Sequence, residues 1–100
     1  MLSFKQKVFE LTKRVPKGKV TTYAIIARKL GTSPRAVGQA LKHNDKPIVV
    51  PCHRVVRSDG ALGGYAGIEN NKKKRLLLER EGVAVRNNKI VDFKKRLFKL

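Results

Sequence analysis

The sequence predicts a mainly α-helical single domain with a small β-hairpin and a winged helix-turn-helix-like core. Three observations lead there. The chain has 100 residues, enough for one hydrophobic core and too few for a second. Apolar residues recur at helical spacing in several segments, each closed by Gly or Pro. Towards the C-terminus, Val83-Ala84-Val85 and Lys89-Ile90-Val91 flank Asn87-Asn88, the pattern of a small hairpin.

The elements follow in order. Phe4, Val8, Leu11 and Val15 mark an amphipathic helix stopped by Pro16-Lys17-Gly18. Thr21 and Thr22 offer an N-cap for a helix over Tyr23–Leu30 that closes at Gly31. Ser33 caps the next helix, with Pro34 at its first position, running to His43. Two short helices joined by a Gly-containing turn form a helix-turn-helix. In the second, Ala36, Gly38 and Ala40 are small, which lets a backbone approach a surface closely; plain helix packing is the alternative. Asn44-Asp45-Lys46-Pro47 reads as a loop and Ile48-Val49-Val50 as a short buried strand ended by Pro51. Val55-Val56 is apolar again before the turn Ser58-Asp59-Gly60. Gly63-Gly64-Tyr65-Ala66-Gly67 is a glycine-rich loop that lacks the Gly-Lys-Ser/Thr of a phosphate-cradling loop. A helix is expected from Glu69 to Glu81, with Leu76, Leu77 and Leu78 as its apolar contribution, and a short basic helix within Phe93–Leu100.

The charge is the unusual property. Lys and Arg number 24 against 7 Asp and Glu, a formal charge of +17. Such a chain repels itself at low salt unless an anion lies close, and nucleic acid is the first expectation. A lysine-rich surface kept for solubility or heat tolerance and an anionic membrane surface are the alternatives. One cysteine forms no internal disulfide, and one cysteine with two histidines is a poor metal set, so no metal is expected. No N-terminal apolar run and no segment of spanning length are present, so a soluble intracellular protein without a membrane role is expected. There is no internal repeat and no linker that would split residues 1–100.

The lone thiol sits in Val49-Val50-Pro51-Cys52-His53-Arg54-Val55-Val56. A thiol is a nucleophile only as thiolate, and apolar neighbours hold it protonated. His53 is the adjacent base. On a regular strand the two side chains point to opposite faces. Pro51 breaks the ladder, which places Cys52 and His53 on a turn within one network. A carboxylate orienting His53 would complete a nucleophile–base–orienter set. Glu81 is the choice among the seven acids, because it ends a helix, whereas Asp45, Asp59 and Asp92 lie in turns or at a cap. A structural cysteine beside a satisfied histidine is the alternative.

Pro51-Cys52-His53-Arg54-Val55 resembles the active-site signature of the O6-alkylguanine-DNA alkyltransferases. The resemblance extends to Val15-Pro16-Lys17-Gly18-Lys19-Val20-Thr21-Thr22-Tyr23, to Arg35-Ala36-Val37-Gly38, to Asn44, to Gly64-Tyr65-Ala66-Gly67 and to Leu76–Gly82, thus from about Phe4 to Val85. It implies direct repair, in which an alkyl group passes irreversibly from O6-alkylguanine in double-stranded DNA to Cys52, with the base flipped out. It implies that His53 deprotonates Cys52 through a water and that Glu81 holds His53. Tyr23 would donate towards N3 of the guanine and crowd the phosphate that must rotate. Arg35 would enter the base stack, on a DNA-binding helix face that includes Ala36, Gly38 and Gln39. The backbones of Cys52, Val55 and Ala66 would read the guanine edge, and Leu41, Pro47, Tyr65 and Gly67 would wall the pocket. Asn44 would bridge the helix to the cysteine loop. The resemblance implies a single-turnover enzyme without cofactor or metal, acting as a monomer in the cytoplasm on nucleoid DNA, or in the nucleus of a eukaryote. Two departures stand out. Most members carry an additional N-terminal domain, which is expected to be absent here. Short relatives, the alkyltransferase-like proteins, sense lesions and recruit excision repair without transfer, but usually have Trp or Ala at the position of Cys52. A lesion sensor with a repair-protein partner is therefore the second reading, and a basic helix-turn-helix regulator the third.

Overall fold

Local capping chemistry builds the first half of the molecule, which a computed structural model describes over residues 2–44, 49–63 and 72–100. Helix α1 spans Phe4–Lys13. Its start is a capping box: the Gln6 amide donates to Ser3 Oγ at 3.2 Å, and the Ser3 amide to Gln6 Oε1 at 2.8 Å. The chain then reverses at Pro16–Lys19, with Gly18 at φ +88°. Strand β1, Thr21–Thr22, runs directly into α2, Tyr23–Leu30. Thr22 Oγ1 accepts the Ile25 amide at 3.0 Å, and Gly31 closes the helix at φ +68°. Helix α3, Pro34–Lys42, starts from Ser33, whose Oγ accepts the Ala36 amide at 3.1 Å.

These three helices bury Val8, Leu11, Ile26, Ala27, Val37, Ala40 and Leu41 in one cluster that also contains Cys52 and Val55. A second cluster, Val20, Val56, Leu62, Leu78, Val83 and Ile90, joins the rest of the chain. Strand β2, Val55–Val56, links the two by pairing in parallel with β1, Thr21 opposite Val55 and Thr22 opposite Val56. Helix α4, Lys72–Arg80, packs on the second cluster through Leu78. The hairpin β3, Val85–Arg86, and β4, Lys89–Ile90, turns at Asn87 and Asn88, both left-handed at φ +52° and +65°. Two left-handed residues are what a tight type I′ turn requires, and asparagine tolerates that region better than most side chains. Helix α5, Phe93–Arg96, leads into Leu97, which bridges Val20 in parallel, with the Phe98 amide donating to the Val20 carbonyl at 2.7 Å. The architecture is thus mainly α with small sheets, as the sequence pattern indicates. Among the described residues no helix is long and apolar enough to cross a membrane.

Three local expectations are corrected. Val49 is 63% exposed and lies in a turn, so a buried strand does not run through it; Ile48 lies outside the described residues. Phe4 is exposed at the first position of α1, and the helix ends before Val15, which is buried from the following loop. In α4, Leu76 is 47% exposed, while Lys74 is fully buried one turn before Leu78. The helical period places positions 74 and 78 on one face and 76 on another. Within the described residues this helix covers Lys72–Arg80 and leaves Glu81 in the turn that follows; Glu69 lies outside them.

Candidate active site

The thiol is placed by two consecutive tight turns. Pro51 has φ −78° and ψ +66°, the geometry of an inverse γ-turn, and the Cys52 amide donates to the Val50 carbonyl at 2.7 Å. Cys52–Arg54 then form one 3-10 turn, closed by the Arg54 amide on the Pro51 carbonyl at 2.9 Å. The Val50 carbonyl takes a second donor, Asn44 Nδ2, at 2.9 Å. Asn44 is buried just after α3, so a side-chain hydrogen bond ties the end of that helix to the cysteine turn.

Cys52 and His53 are both buried. His53 Nε2 lies 3.0 Å from Glu81 Oε2. Arg54 grips the same carboxylate with two donors, Nε to Oε1 at 2.9 Å and Nη2 to Oε2 at 2.6 Å, and donates Nη1 to the Val15 carbonyl at 2.9 Å. Burial works to raise the Glu81 pKa. The hydrogen bonds from Arg54 and His53, with their charges, outweigh it and hold the carboxyl below its ordinary range. Burial lowers the pKa of His53, against the pull of Glu81, so the imidazole is neutral near pH 7. An ionised carboxylate can only accept, so Nε2 must carry the ring proton. The lone pair is then on Nδ1, a buried atom with no hydrogen-bond partner among the described residues. The arrangement is a neutral base, fixed in tautomer, one residue from the thiol.

Tyr23, at the first position of α2, packs against the cluster that holds Cys52. Burial, with the negative charge of a Cys52 thiolate, pushes its phenol up to about 12, against the opposing charge of Arg57. The phenol therefore stays a hydrogen-bond donor. Lys74 reaches this site from α4. Its Nζ donates to the Val55 carbonyl at 2.6 Å and to Tyr23 Oη at 3.4 Å, and sits 5.6 Å from the centre of the Tyr23 ring. Burial lowers its pKa to about 7.

This predicts a measurable pH dependence. The unfolded chain binds the Lys74 proton up to about pH 10.5, the folded one only up to about 7. Stability should therefore rise with pH between those values, by about 2 kcal/mol from pH 7 to 9. Urea unfolding at both pH values should show the rise in the wild type and a much flatter response in Lys74→Met. Equal slopes would place the ammonium in a better solvated setting than its burial indicates.

The remaining sequence-derived site residues divide clearly. Arg35 and Gln39 are exposed on α3, Ala36 and Gly38 are half-buried there, and a Cβ added at Gly38 would meet nothing within 4 Å. Leu41 and Val55 lie in the cluster with Cys52. Pro47, Tyr65, Ala66 and Gly67 lie outside the described residues. Arg54 and Lys74 were not singled out from the sequence. An arginine enclosed by valines must find an anion, which is a usable signal for Arg54. Among the described residues no cluster of metal-ligating side chains occurs.

A profile of the family described as 6-O-methylguanine DNA methyltransferase, DNA binding domain, matches residues 3–83. The chain belongs to this family. The chain is 58% identical over 82 residues to the methylated-DNA–protein-cysteine methyltransferase of Thermococcus kodakarensis, a match covering 80% of this chain and 45% of that protein. It is 52% identical over 79 residues to the protein of the same name from Methanocaldococcus jannaschii, covering 78% and 45%. The domain thus spans about half the length of these relatives. Among solved structures, S. pombe Atl1, in complex with damaged DNA containing O6-carboxymethylguanine, superposes with a TM-score of 0.85 at 31% identity, covering 100% of both chains. The O6-methylguanine-DNA methyltransferase of Pyrococcus kodakaraensis strain KOD1 gives a TM-score of 0.73 at 51% identity, over 83% of this chain and 48% of that one.

Proposed function

We propose that this domain repairs O6-alkylguanine in double-stranded DNA by moving the alkyl group to Cys52 Sγ, once per molecule. One observation carries the reading: the buried thiol is followed in the same turn by a neutral imidazole whose tautomer is fixed by an ionised, arginine-clamped carboxylate. In the step, the thiol proton passes to His53 Nδ1, through a water as the family resemblance implies. The thiolate attacks the alkyl carbon, an S–C bond forms and the C–O6 bond breaks with its electron pair on oxygen. The guanine anion takes up a proton at N3 from the Tyr23 phenol, which regains one from water, while the thiol proton stays on His53 as the imidazolium until it exchanges with solvent. Glu81 stabilises the imidazolium formed on His53. Arg35 fills the stack left by the flipped base, and the α3 face of Ala36, Gly38 and Gln39 lies against the DNA. Leu41, Pro47, Tyr65 and Gly67 wall the base pocket, and the backbones of Cys52, Val55 and Ala66 read the guanine edge. The lysines supply sequence-independent affinity for phosphates.

The domain corresponds, in this reading, to the DNA-binding and active-site part of the longer relatives, their C-terminal half, and works as a monomer. A second reading, a lesion sensor that hands the adduct to a repair partner, is favoured by the match to Atl1 over the full length of both chains. Intact-protein mass after mixing with a duplex carrying one O6-methylguanine separates the two. A gain of one methylene on Cys52, with guanine restored, establishes transfer. Lesion-selective binding with an unchanged mass assigns the sensor role.

The fit of α3 to DNA gives a further prediction. Gly38→Ala should stabilise the fold by about 1 kcal/mol, since glycine weakens a helix interior and the added methyl meets open space. The same methyl should weaken duplex binding several-fold. Thermal melting and a binding titration check both halves; unchanged binding would move the groove contact off this face.

A further inference from the structure

We propose that the cleft between α2, α3 and the turn beginning at Arg57 is a phosphodiester site, with Arg57 as its principal cation, holding the DNA strand beside Tyr23. The proposal rests on the repair reading above and adds a contact to it. The cleft has a volume of about 370 Å³ and is lined by Tyr23, Ala24, Arg35, Gly38, Arg57 and Ser58. Two guanidiniums face one small space. Neither guanidinium has a hydrogen bond or ion pair among the described residues, and both residues are exposed. Like charges converging without an anion between them are costly at low salt, and an arriving anion relieves that.

Arg57 is held in place by its backbone and its stem. Its amide donates to the Ala61 carbonyl at 2.8 Å, and its own carbonyl accepts the Gly60 amide at 2.9 Å. A Cβ built on Gly63 would lie 3.5 Å from Arg57 Cγ and 3.4 Å from Tyr23 Oη. The arginine stem and the phenol therefore border the same glycine, which leaves both close together at the mouth. The nearest acid in sequence, Asp59, accepts the Ala61 amide at 3.0 Å and shares its charge with Lys89 as well as Arg57. It does not close the site.

The shape favours a strand over a lone anion. A second trough of about 480 Å³ shares Ala24 and Ser58 with the cleft and continues past Thr22, Arg28, Lys29 and Lys99. Cations thus line both spaces, which adjoin at Ala24 and Ser58, as a strand with many phosphates would require. The arginine fork binds two phosphate oxygens at once, which a lysine ammonium cannot. A phosphate gripped by Arg57 would anchor the strand while the neighbouring phosphate, crowded by Tyr23, rotates.

The test compares wild type, Arg57→Gln and Arg57→Lys, all at an exposed position. Binding to an undamaged duplex is titrated at several salt concentrations. The slope of log affinity against log salt should fall by about one in Arg57→Gln and stay near wild type in Arg57→Lys. With lesion duplex at limiting concentration, alkyl transfer in Arg57→Gln should drop about tenfold, the loss of one charge-assisted contact. An unchanged slope in Arg57→Gln overturns the proposal. So does a wild-type melting temperature that millimolar inorganic phosphate raises more than duplex does, since the site would then select a free anion. The slope needs no chemistry on the lesion. A wild type that shows it yet leaves Cys52 unmodified would sink the transfer reading and keep this cleft.

Discussion

Cys52→Ala should abolish the proposed alkyl transfer while leaving affinity for lesion DNA within about twofold. This is the largest effect expected of any single change, because no other thiol exists in the chain. The substitution removes one sulfur from a cluster of nine buried residues. The gap it leaves should cost about 1 kcal/mol, well inside what a domain of this size tolerates. Folding and chemistry therefore separate cleanly. Circular dichroism and a duplex titration would show an intact binder, and mass spectrometry after exposure to O6-methylguanine would show no adduct. A residual adduct elsewhere on the chain would mean that the acceptor has been misassigned.

Glu81→Gln is the second large effect, and it is both structural and chemical. The amide keeps the shape but loses the charge on which Arg54 closes with two donors. Arg54 is left half-paired and mostly buried, which should lower stability by about 3 kcal/mol. His53 loses the anion that fixes its tautomer and supports its imidazolium, and transfer should slow about 10²-fold. The pH response gives the sign. Both folded pKa values lie below their ordinary ones, so the unfolded chain takes up these protons first as pH falls. Wild-type stability should therefore decline below about pH 6.5 through His53, and further below about pH 4.5 through Glu81. The Gln variant should lose the lower part of that decline. Melting at pH 7 and pH 4, with single-turnover rates at pH 7, checks all of this; a rate within twofold of wild type would remove Glu81 from the chemistry.

Much of the fold was legible because its signals are local. Thr22, Ser33, Pro34 and Gly31 each act within one helical turn, and the helix-turn-helix follows from them. The β1–β2 pairing was not legible. Each strand has two residues, too few for a period, and Thr21 meets Val55 only through tertiary packing. The leucine run misled for a related reason. Three adjacent apolar residues cannot share one helix face, and the buried position one turn before Leu78 is a lysine. At the site, the contact between His53 and Glu81 was readable from the proline turn and the scarcity of acids. The role of Arg54 as the clamp on Glu81, and the arrival of Lys74 at Tyr23, depend on how α4 packs against the Cys52–Arg54 turn, which no short window of sequence encodes.

The carbonyl of Val50 receives two donors, one from the backbone of Cys52 and one from Asn44 at the end of α3. Few covalent and hydrogen-bonded links separate the helix that would lie on DNA from the sulfur that would react. Interiors packed at crystal density transmit small displacements instead of absorbing them. A groove that tilts α3 by a fraction of an ångström would tilt the cysteine turn with it. Seating on the duplex and aiming of the nucleophile are then one mechanical event, and a thiol out of register with its base would be the direct signature of a helix out of register with its groove.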